Sequence, residues 1–458
     1  MYKLSFIGLG NVGLCTAVCF AVKGYEVIGS EIDRAKANQI RRGKPPFYEK
    51  SLDEMLNKAL ETGNLKITSN NEEAVLKSDI TFITVGTPSK TDGSISLSYV
   101  IKASKEVGRA LKKKDVRAAH LVVVKSTVTP GTTQNIVGSM IERSSGRKCC
   151  EGFLLCSNPE FLHEGNAIRG TMNPDYVVVG GCNERSAETL GHLYREFYSE
   201  NLPPIIKTNI PTAELIKYAN NAFLATKISF INTIANICEK TPGTDVTKIA
   251  EAIGKDHRIN PYFLDAGLGW GGSCFPKDLK ALISFSKGLG YDPELIQAAW
   301  TANKDQVRFT IQKVKKELGT LKGKNVTLLG LAFKPGTDDL REARSLELIK
   351  RLLKEGAAIT AYDPMAIANT RKILRKRIDY ASSAIECLKN ADCAILVTEW
   401  EEFKKLGPED FVRNMRKPVL IDGRRIYDPA KFSKKLRYVA VGLGEPAALI
   451  PPALQKAT

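Results

Sequence analysis

Residues 3–32 constrain this chain more than any other stretch. An apolar run, Lys3 to Gly8, ends in Gly8-Leu9-Gly10-Asn11-Val12-Gly13. A helical pattern follows to Lys23, and a second apolar run, Tyr25 to Ile32, carries Glu31. A lone G-x-G-x-x-G is weak evidence. Between a strand and a helix, with an acid 18 residues after the third glycine, it marks a β-α-β unit built for a dinucleotide. The glycines permit a tight turn and let a pyrophosphate rest on the helix N-terminus, where amide groups and the dipole favour an anion. Glu31 would take the adenine ribose hydroxyls and repel a 2′-phosphate, which favours NAD over NADP. Arg34 and Lys36 stand nearby with the opposite charge.

Further apolar runs lie at Asp79 to Val85, Leu121 to Ser126, Phe153 to Cys156 and Tyr176 to Gly180. Near-continuous runs alternating with helical segments predict a parallel sheet covered on both faces. Ligands then sit beyond the C-terminal strand ends, where Thr87, Thr127 and Asn158 to Glu164 fall. Pro159 predicts a helix start there, with Glu160 and Glu164 four apart on one face. Thr212 to Lys240 is a long helical segment, too apolar to bury a single stripe, so it predicts a link between domains and a subunit contact. Lys217 and Asn221 share one of its faces. At Gly323 the α/β pattern restarts, with strands at Asn325 to Leu329, Ala358 to Tyr362, Cys393 to Thr398 and Pro418 to Ile421. This part lacks G-x-G-x-x-G but keeps Lys334, Arg341, Arg424 and Arg425 at its strand ends, which suits a second phosphate-bearing ligand. From Glu445 the chain reads as a loose tail.

Charge narrows the partners. Of the 458 residues 67 are Lys or Arg and 50 are Asp or Glu, a net +17, but the basic residues form no stripe interleaved with aromatics. That favours an anionic small molecule over nucleic acid. No apolar run approaches the roughly 20 residues of a membrane helix, and no signal sequence precedes the first strand, so a cytoplasmic protein is expected. Four scattered histidines predict no metal centre. The ten cysteines lack zinc-site spacing and read as structural thiols in a reducing compartment. Cys274 has a different setting. Gly267, Gly269, Gly271 and Gly272 precede it, and Pro276, Lys277 and Asp278 open a helical pattern behind it. A thiol at a helix N-terminus is biased toward thiolate, so Cys274 reads as a nucleophile or, equally, as a small buried hydrophobe.

Taken together, GLGNVG (8–13), KSTVTPGTT (125–133), NPEFLHEGNAI (158–168), ELIKYANNAFLATKISFIN (214–232), GWGGSCFPKD (269–278), GLAFKPGTDDLREARS (330–345) and IDGRR (421–425) resemble the UDP-glucose/GDP-mannose dehydrogenase family, its UDP-glucose branch in particular. The resemblance implies two Rossmann-like doubly wound domains, 1–208 for NAD and 306–458 for the UDP-sugar, joined by a central helical region, 209–305, with the dimer interface. It implies a two-step oxidation of UDP-glucose to UDP-glucuronate for polysaccharide biosynthesis, with GDP-mannose or another nucleotide sugar as the alternative substrate. Cys274 would be the nucleophile and pass through a thiohemiacetal and a thioester. Lys217 and Asn221 would stabilise the oxyanion. Asp278, Glu160 and Thr127 would serve water activation and proton transfer, the base among the carboxylates being left open. Cofactor contacts would come from Gly8, Gly10, Val12, Gly13, Glu31, Thr87, Thr127 and Arg341. Substrate contacts would come from Phe161, Leu162, Glu164, Lys217 and Asn221, from Phe263, Leu264 and Gly271, and from Phe333, Lys334 and one of Arg424 and Arg425. Arg258 would reach the neighbouring subunit's site, which implies a homodimer or larger homo-oligomer. Glu31 stands where aspartate is usual, keeping the charge on a longer arm.

Overall fold

The computed structural model describes residues 1–115 and 119–446; beyond 446, the expected tail lies outside them. The chain divides into two compact units, Met1–Asn220 with Lys280–Gly290, and Asn221–Leu279 with Tyr291–Thr458.

The first unit holds an eight-stranded sheet of β1 (Leu4–Ile7), β2 (Val27–Ser30), β3 (Leu65–Thr68), β4 (Ile80–Ile83), β5 (Leu121–Val124), β6 (Leu154–Ser157), β7 (Val177–Gly181) and β8 (Ile205–Asn209). Its order is β3-β2-β1-β4-β5-β6-β7-β8. The central strands β1, β4, β5 and β6 are buried along their whole length, as a sheet covered on both faces requires. Pairing is parallel, Leu4 lying between Val27 and Ile80, except that β7 runs antiparallel to β6. An apolar run carries no sense of direction, so that reversal is visible only in the sheet.

Two expectations are corrected here. No helix starts at Pro159: residues 158–163 are irregular, and the helix is Ala167–Met172. Glu160 turns its carboxylate back to accept the Leu162 N–H (2.6 Å), while Glu49, distant in sequence, accepts the Gly165 and Ala167 N–H groups (2.8 and 2.9 Å) and fixes the helix start there. Glu160 and Glu164 therefore share no helical face. The cysteines are also not all thiols. A turn ending at Phe153 brings Cys150 against Cys182, just past β7, and the two form a disulfide.

The second unit holds a six-stranded parallel sheet of β9 (Asn325–Leu329), β10 (Ala358–Tyr362), β11 (Asp379–Tyr380), β12 (Cys393–Leu396), β13 (Val419–Asp422) and β14 (Arg437–Ala440), in the order β11-β10-β9-β12-β13-β14. It repeats the first unit's opening. Gly8 N–H donates to Ser30 O and Gly330 N–H to Tyr362 O, each at 2.8 Å. The acid beyond β2, Glu31, accepts the Leu9 N–H (3.2 Å), and the acid beyond β10, Asp363, accepts the Leu331 N–H (2.7 Å). Both units are Rossmann-like. The long helix Ile210–Cys238 begins in the first unit and continues in the second. Among the described residues no helix is long and apolar enough to cross a membrane.

Candidate active site

The sequence Gly8 to Gly13 folds as a cradle. Gly8 has φ +95°, and a Cβ on Gly13 would lie 1.9 Å from Gly8 O, so neither position tolerates a side chain. Thr84 Oγ1 donates to Gly8 O (2.7 Å) and pins the turn. Gly10 caps the helix Asn11–Val22, whose N-terminus has neither a side-chain cap nor an acid in its first turn, and the space a Cβ would take there is open. An N-terminus left uncapped with room above it fits a pyrophosphate. Glu31 is half-buried, holds the Leu9 amide through one oxygen and the Asp33 amide (3.0 Å) through the other. Its counterpart Asp363 is buried and accepts the Leu331, Ala332, Met365 and Ala366 N–H groups. The acid of the second fold is thus buried under four backbone amides, where Glu31 meets two and stays half-buried. Thr87 Oγ1 donates to Thr127 O (2.9 Å), tying two strand-end loops together.

The same unit gathers Glu160, Phe161 and Lys217. Lys217 on the long helix lies 3.3 Å from Glu160, with both side chains buried, and 5.3 Å from the centre of the Phe161 ring. Burial alone would push the Glu160 carboxyl up. Lys217, the Leu162 amide and Lys125 outweigh it and hold the group below the ordinary carboxylate range. Phe161 stacks at a tilt on Tyr176 (4.8 Å), and Glu164 accepts from Asn11 Nδ2 (3.3 Å). Two residues here escaped the sequence reading. Lys125, buried at the end of β5, donates to Asn158 Oδ1 (2.9 Å). Glu214, one turn before Lys217, accepts the Gly131 and Thr133 N–H groups (2.6 and 2.8 Å) and fixes the loop that carries Thr127. Both lie inside quoted motifs, and a lysine ending an apolar strand was the available signal.

In the second unit the glycine run delivers Cys274 to the start of the helix Phe275–Gly288. Gly272 has φ +87°, and a Cβ on it would meet the Phe333 ring at 2.7 Å; one on Gly271 would meet Glu342 O at 2.4 Å. Glycine is thus required for the loop to lie against the segment after β9. Asp278 N–H donates to Cys274 O (2.8 Å), the helix's first turn. The buried Asp278 carboxylate accepts from Asn221 Nδ2 (2.6 Å) and pairs with Lys277. Ser273 Oγ lies 3.5 Å from Cys274 Sγ. Lys334 lies over the Phe333 ring, 5.6 Å from its centre. Arg425 is committed to Asp245 (2.8 Å) and Val441 O (3.0 Å), and Arg424 donates to Val397 O (2.7 Å) and pairs with Glu399 (3.3 Å); a Cβ on Gly267 would meet Arg424 Nη1 at 3.0 Å. Leu264 is buried, and Phe263 takes a left-handed φ of 65°. Arg341 pairs with Asp339 (2.6 Å), and the exposed Arg258 pairs with Asp256 (2.6 Å).

Comparison with known proteins covers most of the chain. Residues 2–198 match the NAD binding domain of the UDP-glucose/GDP-mannose dehydrogenase family, 211–305 its central domain and 327–429 its UDP binding domain. The chain is 44% identical over 425 residues to UDP-glucose 6-dehydrogenase AglM of Haloferax volcanii, covering 93% of this chain and 97% of that one. It is 39% identical over 447 residues to UDP-glucose 6-dehydrogenase TuaD of Bacillus subtilis, covering 98% and 94%. A solved UDP-glucose dehydrogenase from Pyrobaculum islandicum superposes with a TM-score of 0.89 at 39% identity, over 97% of this chain and 98% of that one.

Proposed function

The chain belongs to the UDP-glucose/GDP-mannose dehydrogenase family, and from that premise we propose that it oxidises C6 of UDP-glucose to a carboxylate and holds the intermediate aldehyde on Cys274. The observation that carries this reading is the buried Asn221–Asp278 hydrogen bond of 2.6 Å, with Asp278 one helical turn beyond Cys274. It puts a carboxylate and an amide on the nucleophile's own helix and its neighbour. NAD, when bound, accepts the two hydrides.

The chain's residues do the rest. C6–OH loses its proton to a base of the site as its hydride leaves, giving the aldehyde. The Cys274 sulfur adds to that carbonyl, and the alkoxide of the thiohemiacetal is stabilised by Lys217 and Asn221. Loss of the second hydride leaves a thioester. Water adds to it, positioned by Thr127, one of the carboxylates Glu160 and Asp278 takes up its proton, and the thiol is regenerated with the acid. The sum consumes one water and two NAD and releases two NADH. Lys217 suits its task because Glu160 holds it in place beside two successive anions. Phe333, Lys334 and one of Arg424 and Arg425 take the nucleotide sugar. Phe161, Leu162, Glu164, Phe263, Leu264 and Gly271 shape its surroundings.

Purified protein given NAD and UDP-glucose is expected to form two NADH per sugar, and Cys274→Ser to lose acid formation while still binding NAD. One NADH per sugar with free aldehyde, or acid from the serine variant, would refute the covalent route. Faster turnover of GDP-mannose in the same assay would reassign the substrate.

A further inference from the structure

We propose that Lys125 is a positioning residue of this site: its ammonium offsets the Glu160 carboxylate, so that Lys217 keeps its positive potential toward the anionic intermediates. The inference rests on the role of Lys217 given above. The Glu160–Lys217 pair, 3.3 Å apart and buried, would by itself be close to neutral, and a neutral pair stabilises a developing oxyanion poorly. Lys125 makes the group net positive.

Its placement supports this over a plain anchor. A buried ammonium is costly unless paired, yet the hydrogen-bond partner of Lys125 is the neutral Asn158 Oδ1 at 2.9 Å. Asn158 is itself fixed, donating to Val178 O (2.7 Å) and accepting from Tyr194. The charges Lys125 feels are those of the site: Glu160 from the loop after β6 and Lys217 from the long helix. Lys125 and Glu160 both line a cavity of about 270 Å³ within the first unit, where His163, Arg169, Asp175, Tyr176, Tyr194 and Tyr198 are the other titratable or charged neighbours. Burial, against the pull of Glu160, brings its amine down to about 8, so its charge is lost within the working range of an enzyme.

The test is Lys125→Gln, which keeps an N–H donor for Asn158 and removes the charge. Its kcat is expected to fall about tenfold, less than the loss of a direct oxyanion donor, with KM for UDP-glucose and NAD little changed. Wild-type kcat should decline above pH ~8, and the variant should lack that limb. A KM effect alone, or an unchanged alkaline limb, would overturn the proposal. So would wild-type kcat that does not decline there, a measurement that needs no variant should Lys125→Gln not fold. A second readout needs no turnover. With its folded pKa below the unfolded 10.5, Lys125 makes wild-type stability rise with pH between about 8 and 10.5 relative to the variant. Equal slopes would also overturn it. If wild type makes no NADH from UDP-glucose or GDP-mannose while the slopes differ, it is the functional reading that fails.

Discussion

Two buried carboxylates, Glu160 and Glu214, serve the same helix and are shifted in opposite directions. Glu160 faces ammonium groups and stays ionised. Glu214 faces only dipoles, the amides of Gly131 and Thr133, and burial raises its carboxyl to about 7 despite them. Its folded pKa exceeds the unfolded 4.5. The stability it contributes is therefore full below 4.5 and lost as pH rises through about 7. From pH 5 to pH 8, Glu214→Gln should gain about 2.5 kcal/mol relative to wild type, read from denaturant midpoints at the two pH values. A constant difference would show that Glu214 is not the buried acid described. Neither Glu214 nor Lys125 was legible as special in the sequence. Both look like ordinary charged residues, and what distinguishes them is burial supplied by segments tens of residues away. Cys274 was half-legible: its glycines and helix start stand beside it, but Asn221 lies 53 positions earlier.

At the scale of elements, apolar runs located the central strands of both sheets to within a residue or two. The edge strands β3 and β8 were missed because they are only partly buried and carry no continuous apolar run. The loop after β6 was misread for another reason. A proline followed by acids is a sound helix-start signal, but the competing Glu160–Leu162 bond and the Glu49 cap win, and the cap comes from 116 and 118 positions away. That cap has a consequence for the site. Glu49→Ala removes both acceptors at the N-terminus of Ala167–Met172 and should cost about 1–2 kcal/mol. It should speed amide exchange at Gly165 and Ala167 and raise KM for UDP-glucose, because the loop carrying Phe161 loses its far anchor. Unchanged exchange at those two amides would remove Glu49 from any positioning role.

At the scale of the whole molecule, the long helix carries a row of exposed apolar side chains. On the long helix Phe223, Phe230 and Ile237 are 67%, 52% and 55% exposed, and they recur every seven residues, the spacing of a helical seam. Large apolar side chains in such a row are an interaction surface rather than a solvated one. If the partner is a second copy of the chain, Arg258 also gains a task, since within its own chain that side chain is exposed and engages Asp256. Phe223→Asp with Phe230→Asp should halve the mass found by sedimentation. Complementation then tests whether the site is shared. Cys274→Ser and Arg258→Ala protomers should each be inactive alone. Mixed under conditions of subunit exchange, they should recover activity, because one hybrid site pairs an intact Cys274 with an intact Arg258. Recovery can arise only if the arginine acts across the interface. If subunits exchange and the mixture stays inactive, Arg258 works within its own chain, and the seam is then a matter of stability alone.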